Sequence, residues 1–157
     1  MIKKNIFAHL FKFMFSKACE YGIRAAIFIA EQSLLNNKVS KVVIAKAIDS
    51  PVEFTAKTLQ ILTKAGIVNS DRGPHGGFYF NQNQLHSIFL SDIVSLIDGN
   101  GIYENCGLGL KECSEDQPCP VHSQFKAIRS NLKKMLEHSS LYDLAIGLKA
   151  KETFLKR

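Results

Sequence analysis

Residues 72–77, Arg72-Gly73-Pro74-His75-Gly76-Gly77, pack three glycines and a proline into six positions. Glycine tolerates backbone angles closed to other residues and proline lacks a ladder donor, so this stretch can only reverse the chain. Ile67 and Val68 precede it and Phe78-Tyr79-Phe80 follow. Apolar runs on either side of a glycine-rich turn predict a β-hairpin with a long tip.

What comes before the hairpin has helical periodicity. Ala18, Tyr21, Ala25, Phe28 and Ile29 recur at helical spacing over residues 16–32. The polar stretch SLLNNK breaks that pattern. A second short helix is predicted over 41–48, with Val43, Ile44, Ala47 and Ile48 on one face. Asp49-Ser50-Pro51 then turns the chain, with Pro51 suited to a first helical position. The third helix, 52–65, is expected to turn Phe54, Thr58, Ile61, Leu62 and Ala65 inward and Glu53, Lys57, Gln60 and Lys64 outward, and Gly66 ends it. Three closely spaced helices followed by a hairpin predict a winged helix-turn-helix.

The second half reads differently. Residues 90–98 form a short helix closed by Gly99, and a turn-rich loop follows. Val121, Phe125, Ile128, Leu132 and Met135 are then spaced by four, three, four and three, with Lys126, Arg129, Lys133 and Lys134 outward. So narrow an apolar seam suits pairing with a second helix. Ser140 with Asp143 has the form of a capping box and opens a last helix. The expected architecture is mainly α with a small β-hairpin wing: a winged helix-turn-helix plus a long dimerisation helix. Residues 1–13 are expected to be a disordered extension, 14–84 a DNA-binding unit, and 85–157 a loop with dimerisation helices.

The chain has 157 residues, 46% of them hydrophobic, enough for one sizeable core. Twenty Lys and Arg against 14 acids give a net charge of +6, which favours a polyanionic partner. The longest purely apolar run covers only 25–30, far below the roughly 20 residues that span a bilayer. His9 and Lys12 interrupt the apolar N-terminus, and no small-residue cleavage site follows. A cytoplasmic protein with no membrane partner is expected. No catalytic acid–base pair or phosphate loop is visible, so an enzyme is not.

In a helix-turn-helix the start of the second helix of the motif enters the major groove. Here that start carries Ser50, Glu53, Phe54, Thr55 and Lys57. Lysine can reach phosphate or guanine, glutamate can accept from cytosine, and Phe54 or Thr55 can press on a thymine methyl. Arg72 on the hairpin tip suits a narrow minor groove. One such unit offers little contact area. Two, joined through the 121–135 seam, would bind double-stranded DNA at a roughly palindromic operator.

Three of the four cysteines crowd into a loop, Cys106-x6-Cys113-x5-Cys119, with His122 three positions later. In a reducing compartment such clustering points to metal or redox chemistry. An iron–sulfur cluster needs a fourth ligand, for which His122 is nearest. A zinc site of three cysteines and a histidine, or a thiol–disulfide switch, uses the same residues. Cys19 falls within the apolar pattern of the first helix and is expected in the core.

KACEYGIRAAIFIA, VIAKAI, KAGIVNSDRGPHGGFYF, the short helix ending in IDG, and CPVH before a long helix together resemble the iron–sulfur cluster regulator family of winged-helix bacterial transcription repressors (IscR/NsrR-like). The likeness covers about residues 14–148. It implies a homodimeric repressor whose cluster, 2Fe-2S in preference to 4Fe-4S, reports redox state, iron–sulfur status or nitric oxide. Cys106, Cys113 and Cys119 match the family's three cysteine ligands. His122 matches the fourth ligand of IscR-like members, and Glu20 the carboxylate that NsrR-like members extend to the partner's cluster. Both are present, and proximity favours His122.

Overall fold

The computed structural model describes residues 14–156; the expected N-terminal extension, 1–13, lies outside them. Three helices lead: α1 (Lys17–Leu34), α2 (Lys41–Ala47) and α3 (Val52–Lys64). The hairpin β1 (Asn69–Asp71) and β2 (Gly77–Tyr79) follows, then α4 (Gln82–Ser87), α5 (Leu90–Ile97), α6 (Gly101–Glu104), α7 (His122–His138) and α8 (Leu141–Lys149).

Serine side chains start three of the helices. Ser16 accepts from the Cys19 N–H at 3.1 Å, Ser40 from Val43 at 3.4 Å and Ser140 from Asp143 at 3.1 Å. Asp143 accepts the Ser140 hydroxyl at 2.6 Å, in place of the backbone N–H that a full capping box would give it. The short helix α4 is not expected from the sequence, although Gln84 accepts the Asn81 N–H at 2.9 Å in a capping box.

At the centre stands α1, with Ala25, Ala26, Ile29 and Ala30 buried against Ile44, Leu59, Leu62, Leu85 and Ile93. Leu141 and Ala145 of α8 belong to the same cluster, so the core runs across the expected boundary between residues 84 and 85. Backbone bonds Leu90 N–H to Ser139 (3.1 Å) and Leu141 N–H to Ile88 (3.0 Å) hold α8 there. A smaller cluster of Cys19, Leu90, Val94 and Leu136 seats α7 on α5. Cys19 has no exposed surface, and burial, then the Asp98 carboxylate, pushes its thiol up to about 12.

Three expected helix faces change. On α2, Val43 is 48% exposed and Ala45 is buried with Ile44 instead. The inward face of α3 is Thr55, Thr58, Leu59 and Leu62, whereas Phe54 and Ile61 are 39% and 40% exposed. Thr55, Thr58, Leu59 and Leu62 lie at i, i+3, i+4 and i+7, one stripe that packing against α1 and α2 buries, and Leu59 takes its central position. The apolar seam of α7 is also divided. Val121, Phe125 and Leu132 are half-buried against their own chain, while Ile128 and Met135 are 59% and 49% exposed. Leu136, outside the expected seam, is the fully buried side chain of α7. A straight helix drifts about 20° per heptad from the 3.5-residue repeat, so a seam spread over 15 residues need not stay on one face. Among the described residues no helix is long and apolar enough to cross a membrane.

Candidate nucleic-acid interface and cysteine loop

Of the expected reading residues, Glu53, Phe54 and Lys57 stand exposed along α3, and Arg72 is exposed at the hairpin tip. Phe54 leans on α1, its ring meeting Tyr21 edge-on at 5.3 Å. Thr55 does not face outward. It is 1% exposed, donates its hydroxyl to the Pro51 carbonyl at 3.0 Å, and pairs with the hydroxyl of half-buried Ser50. These two hydroxyls satisfy each other and shape the turn into α3. The other side of that turn is held by Arg24, which the sequence reading passed over. Its guanidinium donates to the Ile48 carbonyl at 2.7 Å, at the end of α2, and lies 4.8 Å from the Tyr21 ring centroid.

The strands are shorter than expected and pair antiparallel, Asn69 with Tyr79, Ser70 with Phe78 and Asp71 with Gly77. Val68, expected to begin the first strand, is buried in the core instead, because the chain leaves α3 with the Ile67 and Val68 N–H groups bonded to the Leu62 carbonyl. The tip closes through Gly76 N–H to the Gly73 carbonyl at 3.0 Å. A β-carbon at Gly76 would lie 2.2 Å from the Asp71 carbonyl oxygen, so only glycine fits.

The cysteine loop joins α6 to α7 and lies against the first turns of α7. The Gly107 backbone rests on the Phe125 ring, which a β-carbon there would meet at 2.5 Å. His122 opens α7, its N–H bonded to the Cys119 carbonyl at 3.0 Å, and its Nδ1 stands 3.4 Å from the Cys113 sulfur. Two turns further on, Arg129 donates one guanidinium nitrogen to that sulfur at 3.2 Å and another to the Asn105 carbonyl at 3.4 Å. Backbone N–H groups of Leu108 and Leu110, then Gly109, point at the Cys106 sulfur; with Arg129 they draw its thiol below the usual range. Lys126 pairs with Glu115 across the mouth and holds that carboxyl low.

Two adjoining clefts, of about 340 and 470 Å³, flank His122, one lined by Cys113 and Arg129 and the other by Cys119. Tyr103 lines the first, and its buried hydroxyl has no hydrogen-bond partner among the described residues. Among those residues no three His, Cys, Asp or Glu side chains converge to hold a metal ion. The donors nonetheless fit a sulfur-ligated iron centre in kind: half-buried free thiols, one drawn towards thiolate, and an imidazole against another. Glu20 stands outside this loop of its own chain, in the first turn of α1, paired with Lys17 at 2.7 Å.

Three helices with an exposed third helix and a glycine-tipped hairpin define a winged helix-turn-helix protein, here extended by a cysteine loop and a long helix. The chain belongs to the Rrf2 family, described as Iron-dependent Transcriptional regulator, whose model matches residues 15–146. A protein of Aquifex aeolicus named as an HTH-type transcriptional regulator is 33% identical over 144 residues, covering 90% of this chain and 96% of that one. The HTH-type transcriptional regulator IscR of Vibrio campbellii is 25% identical over 124 residues, 79% of this chain and 72% of its own. Among solved structures, CymR, the global cysteine regulator of B. subtilis, aligns with a TM-score of 0.67 at 24% identity, over 84% of this chain and 95% of that one. The IscR of T. potens does so with 0.67 at 20%, over 93% and 94%. The chain is thus a transcriptional regulator, and its relatives are regulators, not enzymes.

Proposed function

We propose that this chain is a homodimeric, cytoplasmic repressor that binds a roughly palindromic operator and whose affinity is set by an iron–sulfur cluster, 2Fe-2S, on the cysteine loop. Glu53, Phe54 and Lys57 read the major groove, Ser50 and Thr55 shape the turn that presents them, and Arg72 enters the minor groove. Cys106, Cys113 and Cys119 supply the thiolates and His122 the fourth ligand, with Glu20 of the partner subunit the rival for that place. The contact of Cys113 with His122 carries the reading, because it brings a loop thiol against the imidazole that opens α7. Bound there, the cluster supplies one-electron redox chemistry and a target for nitric oxide.

The chain's own packing supports a route from loop to DNA. Arg129 ties the loop to α7, α7 packs on α5 and α6, and α5 packs on both α1 and α3. At the junction, a β-carbon on Gly22 of α1 would meet Ile97 of α5 at 2.6 Å and Thr58 of α3 at 3.3 Å, so little slack separates the three helices. A coupling of ~1.4 kcal/mol along this route changes occupancy tenfold.

A second reading, a thiol switch without metal, is favoured by the half-buried free thiol of Cys106 with its lowered pKa. A zinc-stabilised regulator is the third. Anaerobic purification with an absorption spectrum and iron, sulfide and zinc analysis separates them. Visible charge-transfer bands with iron and sulfide support the cluster; one zinc per chain, or metal-free protein whose DNA binding responds to peroxide, refutes it.

A further inference from the structure

The hairpin has two strands of three residues each, and an isolated two-stranded ribbon of that size is marginal in water. Its direction must therefore come from what ties it down. One tie is backbone. Val39, in the approach to α2, pairs with Phe78 on the free edge of β2, giving and taking bonds of 3.1 and 2.8 Å. Gly77 has φ 149°, and a β-carbon there would sit 2.8 Å from the Val39 nitrogen, so the approach tolerates only glycine.

The second tie is a side chain. Lys38 immediately precedes Val39, and its ammonium pairs with the Asp71 carboxylate at the end of β1. On the way it passes 4.5 Å from the Tyr79 ring centroid, on β2. The Tyr79 hydroxyl lies 3.5 Å from the other Asp71 oxygen. Lys38 thus spans both strands from the helix-turn-helix side, and its anchor, Asp71, is the residue before Arg72. We propose that Lys38 is a positioning residue for the wing, holding Asp71 so that Arg72 stands at a set place relative to α2 and α3. This inference rests on the reading of Arg72 as a DNA contact.

Two physical points separate the latch from plainer roles. Both partners are well exposed, 39% and 45%, and exposed ion pairs add little to folding. Removing the pair therefore leaves a folded protein. Asp71 is also an acid beside a surface that would meet a polyanion. Removing it should tighten binding by simple charge, but should weaken binding if its function is to hold the wing.

The test uses a duplex selected from a random-sequence pool by the unaltered protein, with affinity followed against salt and thermal unfolding as a check. Asp71→Ala and Lys38→Gln are each expected to weaken binding about threefold to fivefold, as much as an exposed pair of this kind can hold, with no further loss when either is added to Arg72→Ala. Unchanged or tighter binding by Asp71→Ala overturns the latch. So does a fall of about one in the salt slope for Lys38→Gln alone, which marks a direct phosphate contact. If Arg72→Ala itself leaves binding unchanged, the wing reading fails and the latch with it.

Discussion

Leu136 is the sharpest probe of how α7 is docked. It is 1% exposed and packs with Cys19, Leu90 and Val94, the cluster that seats α7 on α5. Leu136→Ala removes three carbons, worth about 2.4 kcal/mol at roughly 0.8 kcal/mol per buried methylene. A partly relaxed cavity raises the loss to about 3 kcal/mol. For a chain of 157 residues that corresponds to a drop of roughly 6–12 °C in Tm. Ile128, 59% exposed on the same helix, gives the contrast. Ile128→Ala should change stability by under about 0.5 kcal/mol in dilute protein. At high concentration it should weaken self-association, if a partner helix covers that face. Urea unfolding over a concentration series, with sedimentation, measures both. Two results would refute the reasoning: a Leu136→Ala loss below about 1 kcal/mol, or an Ile128→Ala loss as large as that of Leu136→Ala at every concentration.

Lys57→Ala is expected to weaken operator binding about tenfold, whereas Thr55→Val should cost on the order of 1–2 kcal/mol of stability through its lost hydroxyl bonds and leave base preference alone, as a binding-site selection would record. Gly77→Ala should disrupt the wing's bridge to Val39 at on the order of 2 kcal/mol, visible as faster amide exchange at Phe78. A thiol whose folded pKa is raised contributes stability below its unfolded value and loses it as pH climbs towards the folded one. Cys19, raised from 9.0 to about 12, should therefore make the chain less stable above about pH 9, and Cys19→Ala should remove that component of the pH-dependent urea midpoint. Serine in place of Cys106, Cys113 or Cys119 should each bleach the visible bands of anaerobically isolated protein while leaving helix content unchanged by circular dichroism.

Most helix positions were legible because their signals are local: apolar periodicity, a capping serine at Ser140, a stop at Gly66, and a turn at 72–77 that no other element can absorb. The wing followed from order and spacing alone, and the cysteine spacing marked the loop. Where a helix points its residues was not legible, because more than one face carries apolar residues and the neighbours that pack on it choose among them. Hence Leu59 displaced Phe54 and Ile61 from the inner face of α3, and on α7 Leu136 is buried while two of the five expected seam residues, Ile128 and Met135, are exposed. Glu20 was placed by resemblance, and its own chain sets it beside Lys17. Lys38, Arg24 and Arg129 were invisible as functional groups, since their partners Asp71, Ile48 and Cys113 lie 16 or more residues away and an isolated cation carries no pattern. Local chemistry of the chain determined which segments coil, turn and gather thiols. Only the packing of α1 against its neighbours decided which side chains meet, because burial of one shared core selects among faces that are locally equivalent.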